Sequence, residues 1–394
     1  MVEKVLKGSP KYYAWLLFLL TIIGYAFIVY VFQLINGLQM TGLTRNTSWG
    51  FYIAQFTYLV GVAAAAVMLV LPATFHNYHP YHRVMVFAEF LAIGAVVMCM
   101  LFIVVDMGQP QRVMNVILHP TPNSVMFWDC TVLCGYLLLN AIIGWTSLEH
   151  ESRHVAVPRW IKVLVVVSIF WAFSIHTVTA FLYAGLPSRH YWLSAIMAAR
   201  FLASAFCAGP ALLVLCLLLL KKLSGFDAGK QVIRSLSITI AYAMGLNMFF
   251  YVLELFTAFY SGIPGHAHPI HFLFCGHEGL SVWVNGWMWT AVVLAFVSIF
   301  FLAIPKYRHN MKILPWALVA LILATWIDKG LGLLIGGFAP TPYETYEVYT
   351  PTFWEVSVGL GIFAIGALVI SILWKIALEM KKEGGVPFEL PEGE

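Results

Sequence analysis

The sequence predicts an all-α integral membrane protein of about ten transmembrane helices, arranged as two four-helix bundles (helices 2–5 and 6–9) plus two peripheral helices. Three observations predict it. Of 394 residues, 61% are hydrophobic and only 10% charged, and the mean hydropathy of +0.85 lies far outside the soluble range. The apolar residues form ten continuous runs, at 13–32, 50–71, 84–105, 124–146, 161–182, 195–219, 232–259, 281–303, 313–335 and 354–378, each long enough to cross about 30 Å of hydrocarbon. Such runs exclude a membrane β-barrel, whose strands read as roughly ten-residue alternating segments.

Helix 1 follows three lysines but ends in VFQLINGLQ without a small-residue cleavage site, so it reads as a retained span facing lipid rather than a signal peptide. Helix 2 begins TSWGFYIAQF and continues GVAAAA, a small-residue run that lets a neighbouring backbone approach closely. Trp49 and Tyr52 suit an interfacial aromatic belt, while the deeper Gln55 needs a partner. The loop HNYHPYHR spaces His76, His79 and His82 by three residues, but Pro80 interrupts any helix and no carboxylate or cysteine is near, so it reads as a solvated loop.

Helix 3 carries Glu89 near one end and finishes VVDMGQPQR, placing Asp106 at the opposite interface with Arg112 close enough in sequence to pair with it. Helix 4 begins SVMFWDC and sets Asp129 about one turn below the same surface. Helices 5 and 6 meet in SIHTVTAFLYAGLPSRHYWLSAIMAARFLASAFCAG, two spans joined by a short polar turn, with His176 and Tyr183 on one side and Arg200 on the other. A cation at the bilayer centre costs about 2.5–3.5 kcal/mol on insertion scales, so Arg200 requires a partner, either in a functional site or as a packing ion pair. Helix 7 carries Glu254, and helix 9 the adjacent Asp328 and Lys329.

Depth unites these residues. Asp129, His176, Arg200, Glu254, Asp328 and Lys329 come from five helices yet all fall in one half of the membrane, with Asp106 at its rim. Gln55-Phe56 and Arg200-Phe201 each precede a small-residue run, which suggests two related bundles. The expected divisions are 1–49 (peripheral helix and outer loop), 50–182 (first bundle), 183–335 (second bundle) and 336–394 (outer loop, last helix and tail).

Basic residues set the orientation. The N-terminus, the loops after helices 2, 4, 6 and 8, and the C-terminal region hold 17 of the 22 Lys and Arg, so both termini are expected in the cytoplasm, in a multi-pass cytoplasmic (plasma) membrane protein. The net charge of +4 is then a topology signal and implies no nucleic acid. The six cysteines form no CxxC pair, which argues against an iron-sulfur cluster or zinc site. His176 is the sole histidine deep in a span, so facing histidines for haem are missing. The outer segment 260–280, with His266, His268, His271 and His277, and the acidic, tyrosine-rich segment 336–353 suit docking surfaces. The tail EMKKEGGVPFELPEGE reads as disordered.

An apolar cofactor that needs no ligand pair is a quinone, whose carbonyl oxygens want donors and whose reduction needs proton-relaying groups. With no metal centre expected in the chain, its electrons must pass to or from a partner. A proton-conducting or transporter-like subunit, or a structural anchor for redox partners, would also use buried charges; the sequence shows no matched pair of Gly- or Pro-broken spans in helices 2–9 of the kind transporters use.

The run from Asp106 to Arg112 (DMGQPQR), SVMFWD to Asp129, HTVTAFLYAGLPSRHYW from His176 and ELFTAFYSG from Glu254 resemble the NrfD/PsrC family of quinone-interacting membrane subunits over essentially the whole chain. The resemblance implies a menaquinone-type quinone site at the outer ends of helices 2–5, carried over to Trp49, Tyr52, Gln55, Asp106, Asp129, His176 and Tyr183. Glu89, by its depth in helix 3, suits the inner end of a proton route, and Arg200, Glu254, Asp328 and Lys329 suit a proton route or buried ion pairs, with Glu254 expected to pair with Arg200. The resemblance also implies a multisubunit complex of sulfite and sulfur metabolism. An outer iron-sulfur ferredoxin-like subunit and cytochrome b and multihaem cytochrome c type subunits are expected partners, with no haem in this chain.

Overall fold

The computed structural model describes residues 8–277 and 283–389. Lys4 and Lys7, residues 278–282 of the outer segment and residues 390–394 of the tail, all used in the sequence reading, lie outside the described residues. Among the described residues there is no β-strand, and ten helices are long and apolar enough to span a membrane. They are α1 (Pro10–Asn36), α2 (Phe51–Phe75), α3 (Met85–Asp106), α4 (Val125–Ser152), α5 (Arg159–Ala184), α6 (Met197–Ser224), α7 (Lys230–Tyr260), α8 (Trp283–Ala303), α9 (Leu314–Phe338) and α10 (Phe353–Glu383). A helix satisfies its own backbone polar groups in lipid, which is why apolar runs of this length adopt it. Several helices outrun the apolar runs, α10 by five residues, because Glu379, Lys381 and Lys382 end the hydropathy signal without weakening helix propensity.

Ten spans place the start of α1 and the end of α10 at one face, called here the terminal face; the opposite face is distal. Helices α2 to α5 pack as sequence neighbours, and the second half of α2 closes a first ring against α5. Helices α6 to α9 close a second ring, α9 returning to α6. The rings meet where α6 packs on α2 and α5, and where α9 touches α2. Outside them, α10 lies on α3 and α4, and α1 lies on α10.

Two spans are interrupted, α2 at a run of alanines and α9 beside Gly330. Helix α2 breaks at 64–66, where Ala64 and Ala65 donate to the carbonyls three residues back. The Tyr136 hydroxyl donates to the Ala63 carbonyl at 3.3 Å. Gly209 of α6 passes so close that a Cβ there would lie 2.8 Å from Ala65 N, so the small residues of GVAAAA and CAG permit both the break and the approach. Helix α9 carries a π-turn at Asp328–Gly332, with Gly330 at φ −82°, ψ −106°. Trp192 Nε1 donates to the Leu333 carbonyl beyond it at 2.9 Å.

Three loop expectations also change. The α5–α6 connection is no short polar turn: it spans 185–196 and buries Tyr191 and Trp192, because its aromatic residues fill the seam between the rings. Within the outer segment, Pro264–Cys275 is a helix that buries Pro269, Ile270, Phe272 and Leu273. The described part of the tail is ordered by contacts. Phe388 packs edge-on to Phe226 at 5.4 Å, Arg83 donates to the carbonyl of Pro387 at 2.6 Å, and Asp227 N donates to that of Phe388 at 2.9 Å. Average composition hid that single aromatic anchor.

Candidate functional site

The distal half of the first ring gathers most of the residues singled out in the sequence. Gln55 and Asp129 each lie about 6 Å inside the distal end of their helices, and His176 about 12 Å, at 1.5 Å rise per residue. Thr179 and His176, three residues apart on α5, share a helix face. Thr179 donates to Asp129 Oδ1 at 2.6 Å, so the buried carboxylate of α4 is held by α5 without bonding the imidazole directly. His176 is 1% exposed, and its Nε2 has no hydrogen-bond partner.

Gln55 is fully buried; its Oε1 accepts from Trp326 Nε1 at 2.7 Å, while its Nε2 is unpartnered. Asp106 Oδ1 is likewise buried and unpartnered. The expected Asp106–Arg112 pair is not formed, because Pro110 starts a separate 3₁₀ turn, Pro110–Arg112, that leaves Arg112 exposed.

Tyr52 donates to Gln33 Oε1 at 2.7 Å, and Gln33 Nε2 donates to the Val105 carbonyl at 2.8 Å, tying α1, α2 and α3 together. Gln33 was not singled out from the sequence; an amide set within the apolar run YVFQLI was the available signal. Trp49, expected at an interfacial belt, is half-buried in an aromatic cluster instead. It stacks on Trp192 at 5.8 Å and meets Tyr183 and Phe338 edge-on. The Tyr183 hydroxyl bonds Thr57, and its ring touches Phe201 at 5.9 Å. Glu355, Tyr349, Trp192, Phe201 and Phe338 were also missed. Their roles depend on loop paths that periodicity does not encode.

Those loops are pinned over the ring. Tyr349 donates to Glu355 Oε1 at 2.5 Å and accepts from Phe51 N at 2.7 Å; Gly42 N donates to Glu355 Oε2 at 2.9 Å. Burial, and then the Glu355 charge, hold the Tyr349 phenol above its ordinary range, so it remains a donor. Arg189 stands 4.6 Å over the Phe338 ring and donates to the Asn46 carbonyl at 3.1 Å.

In the second ring Arg200 lies between two carboxylates: Nη1 contacts Glu254, and Nη2 contacts Asp328 at 2.9 Å. The expected Arg200–Glu254 contact is therefore present, with Asp328 as a second partner. Lys329 points elsewhere, its ammonium 3.7 Å from the Phe201 ring centre. Glu254 lines a cleft of about 270 Å³ with Tyr191, Ser194 and His266, and Asp328 lines a cavity of about 30 Å³ with Asn247 and Tyr251. Glu89 stands apart in the terminal half, with both carboxyl oxygens buried and unpartnered. Nearer that face Lys381 donates to Glu151 at 2.5 Å.

The chain is similar over most of its length to membrane subunits of redox enzymes. It is 27% identical to a Halobacterium salinarum protein named as a membrane subunit of dimethyl sulfoxide reductase, covering 89% of this chain and 87% of that one. It is 22% identical to the Hdr-like menaquinol oxidoreductase integral membrane subunit of Archaeoglobus fulgidus, covering 94% of each. Identity is also 22% to the menaquinone reductase integral membrane subunit of Nitratidesulfovibrio vulgaris, covering 93% and 91%. Residues 39–340, which hold both rings and the aromatic cluster between them, match the family described as Polysulphide reductase, NrfD. The chain belongs to the NrfD family of multi-pass membrane proteins.

Proposed function

We propose that the chain is the quinone-interacting membrane subunit of a multisubunit respiratory oxidoreductase, with its quinone site in the distal half of the first ring. One observation carries the reading. Three buried polar atoms, Gln55 Nε2, Asp106 Oδ1 and His176 Nε2, have no partner, in a setting where an unsatisfied polar group costs several kcal/mol. A quinone head fits the two nitrogens, since it presents two acceptor oxygens between apolar faces, and its reduced form adds hydroxyls that a carboxylate oxygen such as Asp106 Oδ1 can accept from. Gln55 Nε2 and His176 Nε2–H would hold those oxygens, and Trp49 and Tyr183 would flank the ring. When bound, the quinone supplies two-electron, two-proton redox chemistry. Asp129, held by Thr179, and Asp106 at the rim would hold or pass protons beside it. The menaquinol and menaquinone subunits among the relatives support a menaquinone-type ligand.

The charge distribution supports cytoplasmic termini in the plasma membrane, which puts the distal face outside. There the pinned loops 37–50, 185–196 and 339–352 offer a preformed platform for an iron-sulfur partner. Cytochrome b and multihaem cytochrome c type subunits complete the proposed complex. Among family members, the α5–α6 motif resembles DsrP of the sulfite-reduction-associated DsrMKJOP complex, which favours a role in sulfite or sulfur metabolism. The two rings are then functional halves, quinone in the first and ion pairs in the second.

A second reading, a proton-conducting or transporter-like subunit, is favoured by the interrupted α2 and α9 and by the Glu254–Arg200–Asp328 cluster. His176→Ala and Asp129→Asn distinguish them. In the assembled complex both should lose quinol-dependent electron transfer, by about 100-fold or more if a proton-handling group is removed. Normal turnover in both variants would leave the transporter or anchor reading.

A further inference from the structure

The ion cluster of the second ring carries more negative than positive charge. Arg200 contacts two carboxylates, Glu254 on α7 and Asp328 on α9, and among the described residues no second cationic nitrogen lies within 4.0 Å of either. Lys329 does not fill that place, because its ammonium is turned to the Phe201 ring at 3.7 Å. One guanidinium against two carboxylates leaves one negative charge in excess. Asp328 stands about 15 Å inside the distal end of α9, a depth at which an uncompensated charge is costly.

A cavity of about 30 Å³ lies against that charge, lined by Asp328 and Thr325 of α9 and by Asn247 and Tyr251 of α7. Thr325 and Asp328, three residues apart, share one helix face, as do Asn247 and Tyr251, four apart. Asn247 is 5% exposed, and its Oδ1 has no hydrogen-bond partner. The Thr325 hydroxyl donates to the Leu321 and Ile322 carbonyls at 2.9 and 3.1 Å, which leaves its oxygen lone pairs free. Asp328 accepts from Arg200 Nη2 at 2.9 and 3.2 Å, and each of its oxygens keeps a further lone pair. The rest of the wall is methionine, alanine and valine.

Amide, hydroxyl and carboxylate oxygens are the donor set of a hard cation. The single excess charge matches a monovalent one. A water-sized body needs about 10–15 Å³ of such space, so the cavity takes a small ion with one water. We propose that the second ring binds one sodium ion between α7 and α9, held by Asn247 Oδ1, Thr325 Oγ1 and the Asp328 carboxylate. The ion neutralises the Glu254–Arg200–Asp328 cluster and satisfies the buried amide. This goes beyond the quinone reading and does not rest on it, since the site belongs wholly to the second ring.

The test measures thermal unfolding of the purified full-length chain in detergent while sodium chloride replaces choline chloride at constant ionic strength, with the sodium NMR line width as a direct readout of binding. Sodium should raise the wild-type midpoint by about 2 °C or more at about 100 mM, and potassium by less. Asn247→Leu removes an unsatisfied buried amide, so it should be at least as stable as wild type in choline, yet bind sodium at least tenfold more weakly. Asp328→Asn, which removes the excess charge and keeps an acceptor for Arg200, should lose the sodium response as well. A wild-type midpoint and line width indifferent to sodium would overturn the proposal and leave the cavity to water or the cluster to a proton. An equal response to potassium, or a full sodium response in Asn247→Leu, would overturn it too.

Discussion

His176 and Arg200 illustrate opposite ways of keeping an ionisable side chain in hydrocarbon. Arg200 is satisfied by two carboxylates, and removing it strands both. Arg200→Ala should destabilise the protein by about 3–5 kcal/mol in denaturant unfolding in detergent, more than Asp328→Asn, which leaves Glu254 in place. Tyr52→Phe should cost about 0.5–1.5 kcal/mol by the same measurement, because it removes one neutral hydrogen bond to Gln33. At the terminal face, burial raises the Asp227 carboxyl but is outweighed by the bonds from Lys221 and Gly229 N, leaving it below the ordinary carboxylate range. Its contribution to stability is then present above about pH 4 and lost as pH falls through the folded value. At this scale the sequence was a good guide to which residues are buried and a poor guide to partners. Arg200 announced itself because an intramembrane cation is costly. The Asp106–Arg112 pairing failed because proximity in sequence does not determine the direction of a turn started by Pro110.

The elements were legible wherever hydrophobicity alone decides. All ten spans fall within a few residues of the apolar runs, since lipid leaves the backbone no alternative. Their interruptions were not legible. GVAAAA signalled close packing, but the break in α2 depends on Gly209 arriving from α6, a contact 144 residues away in sequence. Gly209→Val should therefore destabilise by about 1–3 kcal/mol through overpacking, checked by thermal unfolding, whereas the same change at Gly245, which has open space beside it, should be near neutral. The tail was misread for the same reason, its order resting on Phe388 and the Phe226 it meets. Deleting residues 384–394 should lower thermal stability while leaving quinone binding at the distant distal face unchanged.

For the whole molecule, the asymmetry of basic residues predicts which face is outward, and the site proposal depends on it. A single cysteine placed at exposed Arg112 should react with a membrane-impermeant thiol reagent in intact cells, and one placed at exposed Arg153 should not. The central claim is that the unpartnered Gln55 Nε2 and His176 Nε2 in the distal half of the first ring exist to hold a quinone head. An experimentally determined map of the protein with a bound menaquinone analogue tests it most directly. The ring should lie among α2 to α5 in the distal half, with one oxygen within about 3 Å of His176 Nε2. A ring seated instead in the cleft lined by Glu254 and His266, with His176 still enclosed by protein, would contradict the account.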